Sequence, residues 1–323
     1  MFGRKEPRTR IFFATDVHGS EQCFRKWLNA ARVYEAQVLI LGGDVTGKMI
    51  IPLVTTGDGV WRGEIYEEPV EAREGEELKA LQKRIRTMGR YDVLLTAEEK
   101  TKVDAHPHGI DALFHQAMRE SLERWVALAE ERLNGSGIPC YMMLGNDDYD
   151  DLGDLLRGSE VVTNAEDGIV ELPGGFEMAS FGYSTPTPWD TPRELPEEEM
   201  AKRIGLIVER LHDPENSVFN FHCPPHGTHL DQAPVLDAEL RPRVDATGLK
   251  VGPVGSTSVR DAIEKTQPML GLHGHVHESP AAQKLGRTLS INPGSEYGDG
   301  ILRGAIVDID RAKGVRRWQI VQG

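Results

Sequence analysis

An α/β fold built on mixed β-sheets is what this 323-residue sequence predicts, on three grounds. In the first half, apolar runs of strand length alternate with amphipathic stretches of helical period. In the second half, short runs separated by Gly and Pro turns read as closely spaced strands. Several of these runs stop at glycine and are followed at once by Asp, Asn or His, as in open sheets whose carboxyl ends carry ligands.

The elements follow in order. Residues 10–19, Arg-Ile-Phe-Phe-Ala-Thr-Asp-Val-His-Gly, read as a buried strand. Alternate side chains of an extended segment share a face, so Asp16 and His18 are expected to point one way while Val17 turns into the packing. Gly19 lets the backbone leave sharply, and Ser20 is placed to cap a helix over 20–33 whose Phe24, Trp27, Leu28 and Ala31 lie on one face. A second apolar run over 37–41 leads into Gly42-Gly43-Asp44-Val45-Thr46-Gly47. A right-handed βαβ unit then sets Asp16 and Asp44 at the same edge of a parallel sheet.

Residues 48–108 are less regular and read as an insertion within one domain spanning 1–323. A hairpin over 49–54 and 60–66, a helix over 74–88 and a capping box at Thr96-Ala-Glu-Glu99 are expected there. A lid, an oligomer contact and a solvated excursion without specific function all suit such a piece. From Ile110 the apolar positions keep the i, i+3, i+4, i+7 rule up to Asn134-Gly135, giving a long helix in which His115 is a surface or packing residue. The strand over 138–144 ends in Gly145-Asn146-Asp147-Asp148. Runs over 161–163, 169–172 and 177–181 read as short antiparallel strands, and the proline-punctuated loop 185–192 has the composition of a pocket wall. A helix over 197–211 precedes a strand over 217–221, which delivers His222-Cys223-Pro224-Pro225-His226-Gly227-Thr228-His229. After a helix around 261–265, a strand over 269–273 leads to Gly274-His275-Val276-His277-Glu278, and runs at 288–292, 304–308 and 315–320 close the sheets.

Composition narrows the partners. The formal net charge of −14 disfavours a surface that binds nucleic acid or anionic lipid non-specifically, yet leaves room for a small phosphorylated substrate once divalent cations invert the local field. Three scattered cysteines, Cys23, Cys140 and Cys223, lack Cys-x-x-Cys spacing and fit a reducing cytoplasm. The charged first ten residues run directly into a strand, and no apolar run is long enough for a signal peptide or a membrane span.

Five strand ends thus carry Asp16 and His18, Asp44, Asn146, His222, and His275 with His277. Carboxylate, amide and imidazole donors together suit Mn²⁺, Fe²⁺ or Zn²⁺ better than Ca²⁺ or Cu⁺. Seven donors exceed the needs of one ion and suit two ions about 3.5–4 Å apart that share a carboxylate.

Asp-x-His, Gly-Asp, Gly-Asn-Asp, a lone His after a strand and Gly-His-x-His, in that order over residues 10 to about 295, resemble the calcineurin-like metallophosphoesterase superfamily. His222-Cys-Pro-Pro and Gly274-His-Val-His-Glu278 resemble its Icc-related branch. The resemblance implies a four-layer α/β/β/α sandwich of two mixed sheets, metallo-dependent phosphatase-like. It implies one metal on Asp16, His18 and His277, a second on Asn146, His222 and His275, and Asp44 between them. Mn²⁺ leads the candidates, with Fe, Zn, Ni and Co also possible. A metal-activated hydroxide would attack phosphorus in line, and neither a Gly-x-Ser-x-Gly elbow nor a P-loop is present.

One position departs from the family. Asp147 stands where a His commonly follows Gly-Asn, and an ionised Asp cannot protonate a leaving oxygen. Its pKa is raised, or His226 or His229 substitutes, or the leaving group needs little help, which points to a phosphodiester ahead of a phosphomonoester such as a nucleotide. A non-catalytic scaffold and a nuclease are the readings from other classes. His226 and His229 are equally readable as substrate contacts or surface loop, Asn146 as a substrate contact, Arg260 as a phosphate contact or a solvated Arg of a helix's first turn, His273 as a core neighbour of the ligands, and Ser295 of Asn292-Pro-Gly-Ser295 as a structural turn residue or a functional one.

Overall fold

The computed structural model describes residues 8–245 and 248–323, so the first seven residues of the charged start lie outside the described ones. Two six-stranded sheets form its framework. In the first, Gly314–Gln322, Arg303–Asp310, Thr9–Ala14, Val38–Gly42, Cys140–Met143 and Val162–Asn164 lie side by side. The last four are parallel, and Arg303–Asp310 runs antiparallel to both its neighbours. In the second, the order is Ala281–Leu285, Thr288–Asn292, Leu270–Leu272, Val218–Phe221, Phe176–Phe181 and Gly168–Leu172. Its four middle strands are parallel and its two edges antiparallel.

Strand alternation explains the layering. Ile11 and Phe13 turn between the sheets, where they meet Val38, Ile40, Val218 and Leu270. Phe12 and Ala14 turn the other way, onto Phe24 and Trp27 of the helix Glu21–Val33 and Leu122 and Trp125 of the helix Gly109–Leu133. Beyond the second sheet, Phe181, Phe219 and Phe221 pack on Met200 and Ile204 of Glu197–Val208 and on Val259 and Ile263 of Thr257–Thr266. The chain is therefore a four-layer α/β/β/α sandwich. Each large apolar side chain buried in it contributes on the order of 1.5–3 kcal/mol.

Two expectations change. Val162–Asn164 is not an antiparallel strand: it pairs in parallel with Cys140–Met143, while Phe176–Phe181 is antiparallel to Gly168–Leu172 yet parallel to Val218–Phe221. Gly174 and Gly175, both at positive φ, close the hairpin of Gly168–Leu172 and Phe176–Phe181, but a turn there says nothing of which sheet the run over 161–163 joins. The inserted stretch is also more than a hairpin with helices. Glu68–Arg73, Val60–Ile65, Ile50–Thr55 and Tyr91–Thr96 form a four-stranded sheet around its own core of Ile51, Leu53, Ile65, Leu78, Leu81 and Ile85. Glu68–Arg73 was hidden because it is largely exposed, with only Val70 and Ala72 turned to the core. The capping box at Thr96 forms as expected.

Candidate metal centre

The site lies where the parallel strands of both sheets end. Asp16, His18 and Asp44 all sit in left-handed backbone, with φ of 52°, 39° and 50°. The pleat of an extended strand therefore does not set Asp16 and His18, since Thr9–Ala14 has already ended. A turn that costs on the order of 1–3 kcal/mol per residue does so, and its surroundings hold it in place. The two turns are zipped together by Asp16 N to Gly43 O (3.0 Å), His18 N to Asp44 O (3.0 Å) and Gly19 N to Val45 O (2.9 Å). The buried Asp148 carboxylate accepts from Val45 N (3.0 Å), Thr46 N (2.8 Å), Thr46 Oγ1 (2.5 Å) and Gly145 N (2.8 Å), tying the Asn146 loop to the Asp44 loop. Ser295 Oγ donates to the Asp16 carbonyl at 2.6 Å, which gives that turn residue a positioning part.

From the second sheet, His222 follows Val218–Phe221 directly. Its Nδ1 donates to the Gly42 carbonyl at 2.9 Å, which turns Nε2 into the cleft. His275 is left-handed (φ 66°), and its N–H donates to both Asp16 oxygens at 3.1 Å.

Two groups of donors result. Asp16, His18, Asp44 and His277 each offer a ligand atom within 4.8 Å of the others. Asn146 Oδ1 lies 3.1 Å from His222 Nε2 and 2.7 Å from His275 Nδ1. Asp44 Oδ2 faces both groups, 3.5 Å from His18 Nε2 and 3.4 Å from His222 Nε2. The seven residues picked from strand ends are thus brought together.

The electrostatics of the cage ask for cations. Burial raises the Asp16 and Asp44 carboxyls, but His222 and the other imidazoles outweigh it and hold both below the usual carboxylate range. Burial opposes a proton on His222, yet Asp44 and Asp16 push that imidazole up to about 10. Burial lowers His18 and takes His275 down to about 4, leaving neutral rings with free lone pairs. His18 Nε2 and His277 Nε2, 3.0 Å apart, converge on one point. Two buried carboxylates, the neutral His18 and His275 rings, a His222 ring whose extra proton a metal would displace, and an amide oxygen fit divalent cations of intermediate hardness.

Asp147 sits against this cage. Its N–H donates to Asp44 Oδ1 (3.0 Å), its Oδ2 is 2.5 Å from Lys48 Nζ and 3.7 Å from His18 Nδ1, and burial together with Asp44 pushes its carboxyl up to about 6. Lys48, half-exposed, was not singled out from the sequence, nor were Asp148, Thr191 and Tyr297. Thr191 Oγ1 accepts from Asn146 Nδ2 (3.0 Å), and the Tyr297 ring lies 4.6 Å from that of His18. The proline-rich loop is shaped for this by Glu194, whose carboxylate accepts from the N–H and hydroxyl of both Thr187 and Thr191. For Lys48 the available signal was its place beside Gly47, one turn past Asp44.

The remaining candidates stand apart. His226 Nδ1 is 3.2 Å from the Gly255 carbonyl, and His229 is exposed with its N–H donating to Gln283. Arg260 donates to the His226 carbonyl (2.8 Å) and to Glu264 (2.8 Å), so its guanidinium staples that loop to the helix Thr257–Thr266. His273 is buried against the Phe221 carbonyl (2.8 Å), and burial takes it down to about 4; it is a core residue beside the ligands.

No protein-family model matches the chain. A stretch of 120 residues is 31% identical to the uncharacterized protein MJ1162 of Methanocaldococcus jannaschii, covering 36% of this chain and 48% of that one. The chain spans about half the length of that relative. TT1561 of Thermus thermophilus superposes with a TM-score of 0.54 at 12% identity over 98% of this chain and 99% of its own. Another crystal structure does so at 0.58 and 15%, with the same coverage. Looser neighbours include an archaeal phosphodiesterase (TM-score 0.36) and the E. coli phosphoesterase Yfce (0.31), too distant to bear on this chain's chemistry.

Proposed function

We propose that this chain, which has the metallo-dependent phosphatase fold of the calcineurin-like superfamily, is a metal-dependent phosphoesterase that hydrolyses a small phosphodiester with two divalent cations. Mn²⁺ leads, ahead of Fe, Zn, Ni and Co. The observation that carries the reading is Asp44, whose one carboxylate oxygen faces the Asp16, His18 and His277 group and the Asn146, His222 and His275 group at once. Bound there, the cations supply water activation near neutral pH and neutralise charge on the phosphoryl oxygens.

The chain's own residues do the rest. Thr191 Oγ1 and Asp147 Oδ1 both accept from Asn146 Nδ2, which turns the amide oxygen toward His222 and His275. The half-exposed Lys48 ammonium orients a phosphoryl oxygen. Asp147 adds negative charge beside that oxygen, so a singly charged diester is admitted more readily than a doubly charged monoester. His226 and His229, on the 222–231 loop, are the candidates to meet the ester's organic groups. The three buried free cysteines suit a reducing cytoplasm.

Steady-state rates on a diester and a monoester sharing a nitrophenyl leaving group, in Mn²⁺, test the reading. A faster diester is expected. A faster monoester overturns the diester preference, and inactivity on a broad ester panel with all five metals leaves a non-catalytic scaffold.

A further inference from the structure

The inserted unit of residues 50–105 reaches the candidate metal centre at three points. Tyr91, the first residue of Tyr91–Thr96, is buried, and its phenol oxygen accepts the Gly47 N–H at 2.6 Å. Gly47 lies three residues past Asp44 and immediately before Lys48. Ser20 Oγ, two residues past His18, donates to the Thr87 carbonyl at 2.7 Å. Between these two bonds the backbone of Gly89 is wedged under both metal-bearing turns. A Cβ on Gly89 would come within 2.3 Å of the His18 carbonyl oxygen, and one on Gly47 within 2.3 Å of the Gly89 carbonyl oxygen.

This contact differs from ordinary packing in its targets. The turns it touches carry His18 and Asp44 in left-handed backbone, which must be held from outside. Asp148 braces the Asp44 turn from the side of the Asn146 loop at Val45 and Thr46. Gly47, the next residue, is held from the inserted unit, through Tyr91. Burial pushes the Tyr91 phenol up, so it stays neutral and can both accept from Gly47 and keep its ring against Phe114 on the helix Gly109–Leu133. The strand Ile50–Thr55 leaves this same turn and pairs in parallel with Tyr91–Thr96, Ile50 opposite Tyr91, so the chain returns to brace its own point of departure.

We infer that the inserted unit is a built-in brace of the metal centre and that Tyr91 is its positioning residue, setting the turn that presents Asp44 and Lys48. The inference rests on the metal-centre reading above. It gives the insertion a part other than lid or oligomer contact, and it means that the affinity for cations depends on a residue that touches none of them.

Tyr91→Phe keeps the ring and removes the acceptor. Mn²⁺ binding followed by calorimetry, and the visible absorption of the Co²⁺-loaded protein, read the cage without using activity. Tyr91→Phe is expected to raise the Mn²⁺ dissociation constant about tenfold, to shift the Co²⁺ bands, and to lower kcat with little change in KM. Leu81→Ala, in the core of the inserted unit and in none of the three junction contacts, is the control; it is expected to lower the melting temperature with wild-type metal affinity and Co²⁺ spectrum. Wild-type affinity and spectrum in Tyr91→Phe overturn the inference, as does an equal loss of affinity in Leu81→Ala, which would assign the effect to general stability. A wild-type chain that binds neither cation overturns the metal-centre reading itself, a different result from either.

Discussion

The loops of the first sheet deliver Asp16, His18, Asp44 and Asn146 through backbone that is left-handed at three of the four positions, and Asp148, Ser295 and Tyr91 hold it from outside. The second sheet delivers His222 straight off the end of a strand, its ring fixed by one bond to the Gly42 carbonyl. All three oxygen donors come from the first side, and three of the four imidazoles from the second. Carboxylates in this cage repel one another and must be forced together by braced turns, whereas on the second side only His275 is left-handed and His222 needs no more than a rigid strand behind it. The two halves should therefore fail differently when disturbed.

The largest effect is expected where the halves meet. Asp44→Asn should lower kcat/KM by about 1,000-fold, roughly 4 kcal/mol, and weaken Mn²⁺ binding in a titration, because it removes the carboxylate oxygen that lies nearer than Asp16 to both His18 and His222. Next, Asp148→Asn attacks the first half alone. Two amide hydrogens would face donors that now meet a carboxylate, so a loss of about 3 kcal/mol in denaturant unfolding is expected together with weaker metal binding. If stability falls while metal affinity stays, the cage does not depend on its bracing half.

Removing the metal tests the cage as a whole. With Mn²⁺ at one hundred times its dissociation constant, the loaded protein should be about 2.7 kcal/mol more stable than the chelated one, visible as a higher melting temperature. Lys48→Ala is expected to cost about tenfold in kcat/KM with little change in melting temperature, since its side chain is half in solvent. Smallest of all, His229→Ala, on the exposed loop of the second half, should stay within about 0.5 kcal/mol in stability and about twofold in rate. A large effect there would move the leaving-group role to that loop.

Much of this was legible in the order of residues. Periodicity placed the helix over 21–33, the parallel pair of strands ending near Asp16 and Asp44, and the long helix before the third strand, because each buries one face on a sheet. The inserted sheet was only half visible, since Tyr91–Thr96 pairs with Ile50–Thr55 far back along the chain and Glu68–Arg73 is itself largely solvated.

The donor atoms and their order along the chain were set by residue type alone: hard oxygens and intermediate imidazoles at successive strand ends leave few chemistries open. Tertiary structure decided how those donors are aimed. Asp16 and His18 share the cage through left-handed turns and not through strand alternation, Lys48 pairs with Asp147 from ninety-nine residues away, and Tyr91 closes on Gly47 from an insertion. Turn handedness and long-range partners depend on backbone bonds and packing between segments that share no local sequence. A linear pattern can name such groups but cannot say where each one points.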